Sequence, residues 1–352
     1  MEVIVVRKIF AALFILVVLI VLQGILDAGL AAQSPGSCLH VSSSLWFLGD
    51  PIPAGLVCGP GEGPFSTMCI GYTNSCPAAS DCPTCNSGGP SGSVPTASAP
   101  INLTTGNTYI QETDVKVPGL GGGLTLTRIW NSTWPSTLAA LQVGLFGPNW
   151  RSNYEERVFL DTDGYMKYVR GDRGFWVFSA NGGSNWKLSS PGNVVATLSQ
   201  GSPNWTLAFQ NGEQRLFSVA SGSLVSIIDR NGNTTSLTYD ATNRLTTVTD
   251  PASRHLTFNY PNGSSRLVSS VTSADVSGLS IGYQYDAQNR LSIVTEQDGS
   301  TLTFHYDANS LIASVTDSQS KVLESHTYDT SGRGLTSSRA NGVEAVTITY
   351  PH

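Results

Sequence analysis

Short runs of alternating apolar and polar residues, interrupted every few positions by Asp, Asn, Gly or Pro, fill most of the chain from about residue 98 onward. In the C-terminal half the pattern becomes periodic. Thr234-Thr235-Ser236-Leu237-Thr238-Tyr239 predicts a strand and Asp240 to Asn243 a turn. Arg244-Leu245-Thr246-Thr247-Val248-Thr249 predicts the returning strand, and Asp250-Pro251-Ala252-Ser253 a second turn. Thr, Val, Leu and Tyr fit a pleated, half-buried surface, while Asp, Asn, Pro and Gly gather where the backbone must reverse. Side chains two apart in a strand share a face, so Leu237 and Tyr239 point the same way and Leu245 meets them from the returning strand. Asp240 and Asn243 are expected to hold the turn through side-chain bonds to nearby backbone N–H groups.

The unit recurs. Tyr239, Tyr260, Tyr285, Tyr306, Tyr328 and Tyr350 are separated by 21, 25, 21, 22 and 22 residues. Four of the six are followed by aspartate, at Asp240, Asp286, Asp307 and Asp329. A period of this length signals one supersecondary unit stacked many times, with an extended surface as its product in place of one catalytic cleft. Tyr285-Asp286-Ala287-Gln288-Asn289-Arg290-Leu291 repeats the first unit position for position, and Tyr328-Asp329-Thr330-Ser331-Gly332-Arg333 does so up to an extra Gly334 before Leu335. Tyr306 to Leu311 lacks the arginine, and Tyr260 to Leu267 lacks the aspartate while keeping Arg266. These units resemble the YD repeat of the rearrangement-hotspot (RHS) family, whose consensus runs Tyr-Asp, a short turn, Gly or Asn, Arg, Leu. The resemblance makes Tyr239, Asp240, Arg244, Leu245, Tyr260, Arg266, Tyr285, Asp286, Arg290, Leu291, Tyr306, Asp307, Tyr328, Asp329 and Arg333 structural motif positions.

Upstream, Pro100-Ile101-Asn102-Leu103-Thr104-Thr105-Gly106-Asn107 leads through Glu112-Thr113-Asp114 and Val117-Pro118-Gly119. Arg128-Ile129-Trp130-Asn131-Ser132 and Gly147-Pro148-Asn149-Trp150 follow. This order is similar to the domain that precedes the repeats in RHS and polymorphic-toxin proteins. The short strands around Val194 to Leu198, Trp205 to Phe209 and Gln214 to Phe217 read as early, divergent repeats. The resemblance implies an all-β fold in which a β-rich domain and a spiral YD-repeat sheet are continuous. At about 20 short strands the sheet is too short to enclose a payload, so an open, incomplete shell with unpaired edges is expected, and with it self-association.

With 40% hydrophobic and 12% charged residues the chain can build a substantial core. A net charge of -6 with no basic run argues against a nucleic-acid partner. At the N-terminus, Arg7-Lys8 precedes an apolar run of 14 residues, Ile9 to Leu22, and small residues stand at Gly29 and Ala31. The run is short of the roughly 20 residues that span a bilayer, so residues 1–31 read as a helical signal peptide for bacterial export to the cell surface or medium. An uncleaved membrane anchor is the alternative, since Val3 to Val6 extends the apolar character. Residues 32–97 form a Cys-, Gly- and Pro-rich segment and linker holding all six cysteines, Cys38, Cys58, Cys69, Cys76, Cys82 and Cys85. Export argues for disulfides of undetermined connectivity over a metal site. Residues 98–180 are assigned to the pre-repeat domain and 181–352 to the repeats.

No nucleophile with a base, phosphate-cradling loop or carboxylate pair stands out, and neither catalytic residues nor cofactors nor metals are expected. Gly119 to Gly123 reads as a turn before a strand. His255, His305 and His326 fall on strands, the latter two one residue out of phase and hence on opposite faces. RHS shells are known for self-cleavage at Asp-Pro-x-Gly. Here Asp250-Pro251 continues Ala252-Ser253-Arg254 and reads as a turn, and Asp50-Pro51 lies well before the repeats. Trp130, Trp134, Trp150, Trp176, Trp186 and Trp205 suit either a core or a sugar-binding surface. The leading expectation is a structural scaffold without its own catalytic site. A carbohydrate-binding module, or the N-terminal part of a toxin shell with its payload beyond this chain, are the alternatives. The ladder reaches Tyr350 on its beat, where Pro351 replaces the aspartate, as in a wall that stops while still being built.

Overall fold

The computed structural model describes residues 100–350 apart from 193 and 341, with the backbone of the strands His40–Val41, Met68–Cys69 and Thr96–Ala97. The chain divides into two compact units, Met1–Pro77 and Ala78–His352. In the first, His40–Val41 pairs antiparallel with Met68–Cys69. The reading of residues 1–31 as a signal and the six cysteine side chains lie outside the described residues.

The second unit is all-β, as expected. Its main element is a 19-stranded sheet in strict sequence order from Arg157–Leu160 to Val343–Thr347. Successive strands pair antiparallel throughout, as hairpins joined by short turns do. Residue 180, where the sequence divides pre-repeat domain from repeats, ends a strand inside this sheet, Phe175–Ala180. One face is apolar because the strands alternate. Leu237 faces Val248, and Val248 faces Leu256 on the next strand, all three buried. The other face carries Thr and Ser, where Thr238 and Thr246 hydroxyls lie 3.3 Å apart and those of Thr327 and Thr336 2.6 Å apart.

The repeat tyrosines do more than pack. Each hydroxyl donates to a backbone carbonyl at or just before the start of a strand in the preceding repeat: Tyr239 to Leu224, Tyr260 to Leu245, Tyr285 to Val268, Tyr306 to Leu291, Tyr328 to Ile312 and Tyr350 to Gly334, at 2.6–2.8 Å. The register shifts just before Tyr239, Tyr285, Tyr306 and Tyr328, and a bulge there turns the side chain back along the sheet. Burial pushes the Tyr306 hydroxyl pKa up to about 12, so it remains a donor at physiological pH.

The apolar face is covered by a three-stranded sheet, Tyr109–Val117, Leu124–Asn131 and Trp150–Ser152. Rings meet across the two layers: Phe146 on Tyr283 at 4.8 Å, Trp150 on Phe304 at 5.2 Å, Trp130 on Tyr328 at 6.3 Å and Tyr154 on Phe258 at 6.4 Å. Backbone bonds from Val268 N–H to Leu145 O and from Gly334 N–H to Gly106 O tie the layers as well. The result is a β-sandwich with one main core and a smaller cluster of Leu138, Val169, Phe175 and Val177.

The sheet is open, as expected, with Arg157–Leu160 as its leading edge and Met166–Val169 as that strand's one strand partner among the described residues. Val158 N–H donates to Gly222 O at 2.9 Å and Leu224 N–H donates to Glu156 O at 3.2 Å, so the early strands coil until the first docks on the turn before the eighth. Gly222 permits the approach: its φ is +70°, and a Cβ there would lie 2.1 Å from Val158 O. At the trailing end, Val343–Thr347 has Gly334–Arg339 as its one strand partner among the described residues.

Replacing Tyr306 by Phe leaves the Leu291 carbonyl without its donor and is expected to cost about 1–2 kcal/mol in urea unfolding. Thr238→Val on the exposed face should stay within about 0.5 kcal/mol.

Candidate functional site

The repeat motif residues form a regular constellation along one rim of the sheet. In each turn the aspartate Oδ1 accepts backbone N–H groups two and four residues on: Thr242 and Arg244 at Asp240, Gln288 and Arg290 at Asp286, Asn309 and Leu311 at Asp307, Ser331 and Arg333 at Asp329. Its Oδ2 takes the arginine Nε at 2.6–2.7 Å in three of them. The guanidinium then lies over the tyrosine of the next repeat, Arg244 on Tyr260, Arg290 on Tyr306 and Arg333 on Tyr350, 4.2–4.6 Å from the ring centres. The Asp240 carboxyl is held below the ordinary range, first by the Arg244 N–H. Asn243 and Asn289 occupy the left-handed position at φ 60°, and Ser310 and Gly332 take it in their turns.

Arg244 thus belongs to a five-residue turn, with the returning strand starting at Leu245. In the arginine-free repeat Leu311 takes the arginine's place and Ile312 offers the carbonyl to Tyr328. Leu245 and Leu291 are buried, and Arg266 reaches back to Thr242 O at 3.4 Å. Asp250 makes the same turn on the opposite rim, accepting from Ala252 N–H, Arg254 N–H and Arg254 Nε, and is occupied as a turn residue.

Sequence reasoning missed the centre of the sandwich. Arg128 and Asp114 form a fully buried bidentate pair, Nε to Oδ2 at 2.5 Å and the second nitrogen to Oδ1 at 2.7 Å. Tyr283 of the repeat wall donates to the same Oδ2 at 2.6 Å. The guanidinium sits 4.7 Å from the Trp150 ring centre, with Phe146, Tyr283 and Phe304 around it. Burial alone would lower the Arg128 pKa, but the charge and bonds of Asp114 outweigh it and hold the group fully protonated. Asp114 is aimed inward by the bulge between Thr113 and Val115. The sequence signal was a Glu-x-Asp and an Arg on adjacent strands.

Next to this pair stand Glu112, Glu296, Glu324 and His326. Burial raises the Glu112 pKa to about 7, opposed by Arg128 and reinforced by Glu324, Asp114 and Glu296. His326 is buried, 3.8 Å from Glu324, with neither ring nitrogen hydrogen-bonded. His305 is exposed against Thr316, and His255 pairs with Asp275 at the surface. Among the described residues no group of three or more His, Cys, Asp or Glu side chains is placed to hold a metal. Trp130 and Trp150 are fully buried in the core, and Trp134, Trp176, Trp186 and Trp205 are half-buried. Leu120–Gly122 is a short 3-10 turn before the strand Leu124–Asn131, as read.

Arg128→Met strands the Asp114 carboxylate in the core and is expected to cost about 3–5 kcal/mol in chemical denaturation, with the double variant Arg128→Met, Asp114→Leu recovering part of the loss. Because Glu112 binds its proton more tightly folded than unfolded, stability should fall as pH rises from about 4.5 to about 7. Glu112→Gln should flatten that slope in thermal melts across the range.

Two family profiles match in series: Domain of unknown function (DUF6531) over residues 98–177 and RHS Repeat over residues 220–255. Among curated proteins, tRNA nuclease WapA of Bacillus subtilis (strain 168) is 29% identical over 149 residues, 42% of this chain and 6% of that protein. The tRNA(Glu)-specific nuclease WapA of Bacillus subtilis subsp. natto (strain BEST195) matches to the same extent, so the chain spans 6% of the length of these relatives. Among solved structures, TcdB2-TccC3-Cdc42 gives a TM-score of 0.29 at 10% identity, covering 66% of this chain and 15% of that one. TcdB2-TccC3 gives 0.29 at 10% identity, covering 73% and 18%. With the RHS Repeat profile matched over residues 220–255 behind the profile at 98–177, on a sheet whose turns carry the Tyr-Asp-Arg motif, the chain is similar to RHS/YD-repeat proteins over these segments.

Proposed function

We propose that the chain is an exported structural scaffold, a stiff wall segment with no catalytic site of its own. The observation that carries this reading is the commitment of the motif's polar groups: tyrosine hydroxyls, aspartate carboxylates and three of the arginines bind their own or a neighbouring repeat. Groups so engaged hold geometry, and turning over a substrate would require releasing them. Export rests on the N-terminal sequence, with its basic pair, apolar run and small residues at Gly29 and Ala31.

The relatives favour a second, compatible reading, in which the wall is the N-terminal portion of a polymorphic-toxin shell. They are named as tRNA nucleases, and the stretch shared with this chain is 6% of their length. On this reading the payload is encoded beyond the shared stretch, and a partner meets the wall at the trailing strand Val343–Thr347.

The purified chain should leave total tRNA intact on a denaturing gel, and cleavage that co-purifies with it through a second column would sink the scaffold reading. Brief elastase digestion, which cuts after small aliphatic residues such as Ala97, should yield one resistant fragment beginning near residue 98, with Val115 and Val158 uncut because both are buried. Mass spectrometry of the exported protein should find Ala32 as its first residue.

A further inference from the structure

A cleft of about 240 Å³ opens between the segment following the three-stranded sheet and the first full YD repeat. Three arginines, Arg151, Arg157 and Arg266, line it together with two glutamates, Glu155 and Glu156. Both glutamates are already engaged. Glu155 accepts Leu145 N–H and Ser152 N–H and pairs with Arg151 at 3.2 Å. Glu156 accepts the Tyr168 hydroxyl at 2.8 Å and lies 3.3 Å from Arg215, a cation outside the cleft. Arg157 and Arg266, by contrast, have no carboxylate partner. Arg157 donates to the Ser221 carbonyl at 3.1 Å, its Nε is buried without an acceptor, and burial together with neighbouring Arg151 disfavours its charged form. Arg266 is exposed and donates to the Thr242 carbonyl at 3.4 Å.

A guanidinium that is partly desolvated beside a second guanidinium is under-compensated, and an anion in the cleft would relieve it. The lining side chains carry a formal excess of one positive charge, three arginines against two glutamates. Each glutamate already has an arginine of its own, Glu155 with Arg151 and Glu156 with Arg215, so the unanswered charge is that of Arg157 and Arg266, whose guanidiniums can share the two oxygens of one carboxylate. The remaining wall is apolar, formed by Leu141, Leu145 and Leu245. We propose that this cleft is a binding site for a monocarboxylate with a small apolar body, held between Arg157 and Arg266. Such a ligand touches the pre-repeat segment through Arg157 and the repeat wall through Arg266 and Leu245, and clamps one on the other.

The test is calorimetric titration, with saturation-transfer NMR, of the full chain with benzoate, its neutral isostere benzamide, N-acetyl-leucine and inorganic phosphate. Benzoate should bind and benzamide should not, and Arg266→Gln, a surface change, should weaken benzoate about tenfold. Arg157→Gln should weaken it at least as much, and if that variant fails to fold the exposed Arg266 carries the test. N-acetyl-leucine binding more tightly than benzoate would identify a peptide C-terminus as the source of the carboxylate, and the reverse a free small acid; either supports the site. Equal binding of benzoate and benzamide, preference for phosphate, or unchanged benzoate affinity in Arg266→Gln would overturn it.

Discussion

A buried charge must be answered where it stands, and the Arg128–Asp114 pair is answered from both layers of the sandwich. The pre-repeat sheet supplies the two charges, and the repeat wall supplies the Tyr283 hydroxyl and part of the ring cage. Sliding one layer over the other by a residue would take the Tyr283 hydroxyl from Asp114 and the rings of Tyr283 and Phe304 from Arg128, leaving the buried pair less compensated. Apolar packing tolerates such slips and this cluster does not. It therefore fixes the register in which the small sheet covers the large one, and the ring contacts from Phe258 to Tyr328 follow from that register.

The wall itself is held by a different device, repeated. In Asp240, Arg244 and Tyr260, or Asp286, Arg290 and Tyr306, one residue closes a turn, the next braces the first, and the third is covered by the second while bonding back to a strand start. Each repeat is thus bonded through side chains to the next, beyond the strand ladder. That coupling suits a wall that must keep its curvature, and it leaves few polar groups along the rim available for chemistry. The cleft beside Arg157 stands apart because it lies where the early coil, the pre-repeat segment and the first full YD repeat meet, outside this regular bonding.

Much of this was written locally. The Asp240 turn closes within five residues, so its Asp, Asn and Arg can be read in order along the chain, and the Thr and Leu alternation likewise assigns faces without knowledge of partners. The tyrosine's bond was not legible, because its acceptor is a backbone carbonyl 15 residues back at Leu245 or Leu291, and any residue type offers a carbonyl. Arg128 was equally hidden. Arginine is ordinarily exposed, and its burial depends on Tyr283, which bonds Asp114 across 169 positions of chain.

The sequence by itself determined the strands, the turns, their period and the family resemblance, since each rests on contacts within one hairpin where spacing and residue type are sufficient. Tertiary structure decided what those hairpins enclose: the buried ion pair, the bonds that dock Val158 on the turn at Gly222, and the cleft that holds Arg157 and Arg266. These depend on distant segments meeting, and on the cost of leaving charges and backbone groups unsatisfied once they do.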